Sequence, residues 1–131
     1  DERLIEPYNI FEGRKLSART IAIRPHLVYH LRNPYTPSWG ESYVAIVARM
    51  VEAMNELAAR TEGGDVVIVT HQLPIWITHR HVKGLKLAHN PQKRRCALSS
   101  ITTFEVTKDG LVEVGYLNPA ESLLAVDKGA V

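Results

Sequence analysis

The sequence predicts an α/β domain: a mostly parallel central sheet flanked by helices, followed by a C-terminal strand pair. Three observations carry this reading. Val66-Val67-Ile68-Val69, set between Gly63-Gly64-Asp65 and Pro74, reads as a short strand buried on both faces, the pattern of a parallel sheet covered by helices. Val44, Val47, Val51, Met54 and Ala58 recur at spacings of three and four, which places them on one face of a helix. "LSSITTFEV" and "LVEVGYL" flank Thr107-Lys108-Asp109-Gly110, two strands rich in β-branched and aromatic residues joined by a tight turn.

Taken in order, residues 1–16 hold Pro7, Asn9 and Gly13 without a sustained period, which predicts an extended or looped segment. Over residues 17–31 the apolar positions Ile21, Ile23, Leu27, Val28 and Leu31 fit a helix loosely, and Pro25 divides it into two short pieces. "RNPYTPSWGES" is a loop by its prolines. It closes with Ser38-Trp39-Gly40-Glu41, the spacing of a capping box, so the long helix is expected to start there and to end near Gly63-Gly64. After the strand at residues 65–70, Pro74 suits a first helical turn. Ile75, Ile77, Thr78 and Val82 then cover one side of the sheet until Gly84 stops the helix. Trp39 and Trp76 are expected in the core, and residues 119–131 are expected to fray.

With 131 residues, 45% hydrophobic and 23% charged, the chain suits one globular domain over residues 1–131 with a single core. No apolar run reaches the roughly 18 to 20 residues of a membrane span, so no membrane partner is expected. A net charge of +2 gives no case for nucleic acid, although Lys93-Arg94-Arg95 concentrates charge locally. Cys96 stands alone and cannot form an internal disulfide, which suits a reducing compartment and makes a cytoplasmic location the expectation. His79 and His81 lie two apart on a predicted helix and point in different directions, so neither a metal nor another cofactor is expected. The chain opens on Asp1 rather than methionine, in a segment already rich in chemistry, which suggests an N-terminally truncated domain. A central sheet without its first strand would favour pairing with a second copy as a homodimer.

Three stretches, in order, resemble the histidine phosphatase superfamily, the phosphoglycerate-mutase-like proteins. "RLIEPYNIFEG" resembles the segment in which a leucine-glutamate pair precedes an aromatic-Glu-Gly. "SWGES" resembles the Gly-Glu-Ser helix start, and "VVIVTHQLPI" resembles the strand ending in Ser-His-Gly that bears the second active-site histidine. "CALSSITTFEV" is similar to the strand that follows. The family's opening Arg-His-Gly, whose histidine is the nucleophile, occurs nowhere in these 131 residues; Arg80-His81-Val82 does not replace it.

The resemblance implies a phosphomonoester hydrolase working through a phosphohistidine, with a phosphorylated small molecule as substrate. By itself this chain, lacking the nucleophile, would be inactive. His71 takes the place of the second histidine and Glu6 that of the general acid, with Glu2 and Glu12 as competitors because the spacer Tyr8-Asn9-Ile10 is one residue shorter than usual. Gln72 stands where the family has glycine and narrows the phosphate pocket. Arg14, Arg94 and Arg95, with Lys93, are candidates for holding the rest of the substrate, since guanidinium groups grip phosphate bidentately. A phosphoglycerate-mutase-type phosphotransferase is the less favoured catalytic alternative, because no long insertion separates the "FEG" and "GES" motifs. A non-catalytic anion-binding or assembly module retaining the fold is the alternative from another class.

Overall fold

The structure, a computed structural model, describes residues 1–7, 40–90 and 93–121. A 3-10 turn, Glu2–Leu4, opens the chain. It is followed among the described residues by helix α1 (Tyr43–Arg60), helix α2 (Gln72–Val82) and strands β1 (Ile101–Thr107) and β2 (Gly110–Leu117). The pieces expected over residues 8–39, with Trp39, the acid candidate Glu12 and Arg14, lie outside the described residues, as do residues 122–131 at the expected frayed end.

Helix α1 begins at Ser42 rather than at Ser38. The Ser42 hydroxyl accepts from the Ala45 amide at 3.1 Å, satisfying a donor that has no intrahelical partner. Glu41, expected to complete a capping box, instead accepts from Arg49 Nε at 2.8 and 2.9 Å. The buried stripe is Tyr43, Ile46, Val47, Met50 and Ala53. This corrects the predicted face: Val44 is 68% exposed, and Val51 and Met54 are only half-buried. Both stripes have helical spacing; the one containing the bulkier pair Tyr43 and Ile46 turns inward.

Helix α2 packs across α1. Leu73 and Ile77 join Tyr43, Ile46, Val47 and Met50 in the core, with Leu4, Val51 and Leu87 against its rim. The helix starts two residues before Pro74, which occupies the third helical position, where the missing N–H costs nothing. Trp76 is buried as expected, and its ring stacks on His79 at 4.7 Å. The helix stops as expected at Gly84, whose φ of +64° suits the residue that lacks a Cβ; its amide bonds back to the His81 carbonyl at 2.9 Å.

Strands β1 and β2 form the expected antiparallel hairpin, with Thr107 paired to Gly110 around Lys108-Asp109. Thr103 faces Gly115 and Phe104 faces Glu113, so Val114 is an extra, bulged residue. This two-stranded sheet is the only one among the described residues. Here the structure differs from the prediction of a mostly parallel central sheet: residues 65–70 enter no ladder, and Val67 and Val69 are each 89% exposed. A strand exists only against a neighbour, and no described segment pairs with this one in a ladder.

Candidate active site

His71 stands where residues 65–70 meet α2. It is the N-cap of that helix, with extended backbone (φ −107°, ψ 165°), and its exposed side chain makes no capping hydrogen bond. Its carbonyl accepts from Ile75 at 3.3 Å. Pro74 has no N–H, so Gln72 and Leu73 supply the amides of the first turn that lack an intrahelical acceptor. The positive end of the helix lies beside the imidazole.

The N-terminal segment is drawn to this point from two sides. The Thr70 hydroxyl donates to the Leu4 carbonyl, and Arg49 Nη1 of α1 donates to the Arg3 carbonyl. Arg3 reinforces the attachment through Glu56 at 2.7 Å and its own neighbour Asp1 at 2.7 Å. Glu6 follows Leu4 by two residues and is exposed. Its charge acts on Arg94, opposing the effect of burial on that guanidinium.

Arg94 is half-buried. Its Nη1 donates to Gln72 Oε1 at 3.4 Å and its Nε to His89 Nε2 at 3.0 Å, while Gln72 Nε2 donates to the Cys96 carbonyl at 2.7 Å. Burial lowers the Arg94 pKa, with Tyr43, Glu6 and Cys96 opposing that effect. Burial likewise pushes the Cys96 thiol and the Tyr43 phenol upward, Arg94 pulling both back.

Of the sequence-predicted site residues, Arg94 therefore bonds to Gln72, which follows His71 in the chain, and Arg94 feels the charge of Glu6. Arg95 points elsewhere, donating to Glu113 Oε1 at 2.8 Å and lying 4.5 Å from the centre of the Tyr116 ring. Lys93 is exposed, and Glu2 sits in the 3-10 turn. His89, the acceptor that holds Arg94, carries no signal in the sequence, because nothing in the run from His89 to Arg94 marks the two as partners. Among the described residues no three His, Cys, Asp or Glu side chains are grouped to hold a metal ion, and no helix is long and apolar enough to cross a membrane.

The elements and their neighbours define an α/β protein in which an arginine bonds to the first residue of a helix whose N-cap is a histidine. It belongs to the histidine phosphatase superfamily (branch 1), whose sequence profile matches residues 1–118. The chain is 46% identical over 121 residues to the uncharacterized protein Rv0525 of Mycobacterium tuberculosis strain H37Rv, and equally to the uncharacterized protein MT0547 of strain CDC 1551. Each alignment takes in 92% of this chain and 60% of the relative, so the chain spans about three-fifths of the length of these relatives. No solved structure matches it significantly.

Proposed function

We propose that this chain supplies the anion-holding and proton-donating side of a phosphomonoester hydrolase of the histidine phosphatase type. The carrying observation is the bond from Arg94 to Gln72, the first residue of α2, directly after the N-cap His71. Phosphoryl transfer asks mainly for positioning and for positive charge around the equatorial oxygens. His71, the amides of Gln72 and Leu73, and the Arg94 guanidinium are donors of the right kind for those oxygens. Glu6 protonates the leaving alkoxide as the P–O bond breaks. Arg95 is committed to Glu113 and Tyr116, so the charge rests on Arg94. The attacking histidine of the family mechanism belongs to an Arg-His-Gly that these 131 residues do not contain.

Titration of the chain with inorganic phosphate tests this reading. Phosphate is expected to shift the ring resonances of His71 and the side-chain resonances of Arg94, and His71→Ala is expected to weaken binding by at least about tenfold, the scale of one charge-assisted contact. Hydrolysis of a chromogenic phosphomonoester should stay at background until a segment bearing Arg-His-Gly is supplied. Phosphate that leaves residues 71, 72 and 94 unmoved overturns the proposal.

A further inference from the structure

His89, which no motif singles out, sits half-buried between Tyr43 of α1 and Trp76 of α2, its ring centroid 5.6 and 6.1 Å from theirs. Its Nδ1 lies 2.8 Å from the carbonyl oxygen of Leu87. A carbonyl only accepts, so Nδ1 carries the proton. Its Nε2 lies 3.0 Å from Arg94 Nε, and a guanidinium only donates, so Nε2 presents a lone pair. Two independent neighbours demand the same neutral tautomer. The pattern continues without conflict: Arg94 Nη1 donates to Gln72 Oε1, and Gln72 Nε2 donates to the Cys96 carbonyl. Every role in this relay is forced by a carbonyl at each end and a donor-only group in the middle.

We infer that His89 is a positioning residue: as a neutral imidazole protonated on Nδ1, it holds Arg94 by Nε and so aims the guanidinium's remaining donors at an anion bound beside His71. This deepens the proposed function and rests on its anion site. The relay occupies Nε and one hydrogen of Nη1, leaving the other hydrogens of the guanidinium outside it. Protonation of His89 would replace the lone pair with a donor and set a cation against Arg94. The charged and titratable groups facing the ring are Arg94 from its own loop, Arg80 from α2 and Tyr43 from α1. Burial holds the His89 pKa below its ordinary value of 6.5, against the pull of the Leu87 bond, and Arg94 and Arg80 push the same way as burial. The relay therefore persists at neutral pH and is lost in acid.

The test uses the 131-residue chain and inorganic phosphate, read at the His71 ring and the Arg94 Nε–H resonance. His89→Phe keeps a ring between Tyr43 and Trp76 but removes the acceptor; His89→Gln restores an acceptor at similar reach. At pH 7 we expect His89→Phe to weaken phosphate binding about tenfold, the low end for losing an orienting partner, and to speed exchange of the Arg94 Nε proton, with His89→Gln recovering most of both. As the pH falls below 6.5 and through the lowered His89 pKa, the unaltered chain should lose affinity relative to His89→Gln, a ratio in which the titrations of phosphate and His71 cancel. Ring-nitrogen shifts of the unaltered chain should report the tautomer protonated on Nδ1, a measurement that needs no variant. An Nε2-protonated His89, or phosphate affinity and Arg94 exchange unchanged in His89→Phe, overturns the role of His89 alone. Phosphate that fails to perturb either His71 or Arg94 in the unaltered chain instead overturns the anion site itself.

Discussion

Glu113 is held from two sides, by His79 Nδ1 of α2 and by Arg95 Nη2 at 2.8 Å, with 5% of its side chain exposed. Burial raises its pKa, but the hydrogen bonds and charges of His79 and Arg95 together outweigh burial, so the folded carboxyl lies below the ordinary 4.5. A carboxyl depressed by folding stabilises the protein fully above its unfolded pKa, and that contribution is lost as pH falls through the lower folded value. We therefore expect the urea midpoint to decline as the pH drops below about 4.5. Glu113→Gln should cost about 1–3 kcal/mol at pH 7 and remove this part of the decline. At the same scale, Arg94→Ala should weaken phosphate binding while Arg95→Ala leaves it within about twofold, since Arg95 is committed to Glu113 and Tyr116. The sequence makes His71 legible because it follows an aliphatic run and precedes a helix start. It cannot distinguish Arg94 from Arg95: adjacent residues of one charge differ here through their partners, His89 and Gln72 for one and Glu113 and Tyr116 for the other, and Glu113 lies 18 positions away from Arg95.

The existence of α1 and α2 is legible in periodicity and in breakers such as Gly84, but which face of α1 turns inward is not. Val44, Val51 and Met54 are as apolar as much of the buried stripe, and only the position of α2 decides between them. Ile46 and Ile77 are fully buried between the two helices, so Ile77→Ala should destabilise by about 2–5 kcal/mol in urea unfolding, from lost transfer energy and the cavity left behind. Ser42→Ala should cost about 1 kcal/mol through the lost cap. Val67→Thr and Val69→Thr should each stay within about 0.5 kcal/mol of the parent chain, because both side chains are 89% exposed. The aliphatic composition of residues 66–69 signals a strand, yet a ladder is a property of two segments, and one segment's residues cannot specify its neighbour.

Across the molecule, the N-terminal segment is the piece whose attachment matters most to the site, because it brings Glu6 to Arg94. Two donors from distant parts of the chain hold it, Arg49 on the Arg3 carbonyl and Thr70 on the Leu4 carbonyl, spanning 46 and 66 positions. Thr70→Val removes the hydroxyl with little change of shape. It should raise amide hydrogen exchange across residues 4–6 and weaken phosphate binding, while the exchange of α1 core amides stays unchanged. The family resemblance in the sequence relates Glu6 and His71 only by analogy; the bond from Thr70 to Leu4 ties together the two segments that carry them.

The bulge at Val114 lets two residues of opposite parity in the sequence share one face of the hairpin. Glu113 and Tyr116 are three residues apart, a separation that in a regular strand sends side chains to opposite faces, yet both reach Arg95 because one residue is surplus between their partners. Val114 is 56% exposed, so most replacements there should be silent. Deleting it would leave Glu113 and Tyr116 two apart in a regular strand, still on one face opposite Phe104 and Thr102 and both within reach of Arg95, so a lost codon at this point should be tolerated.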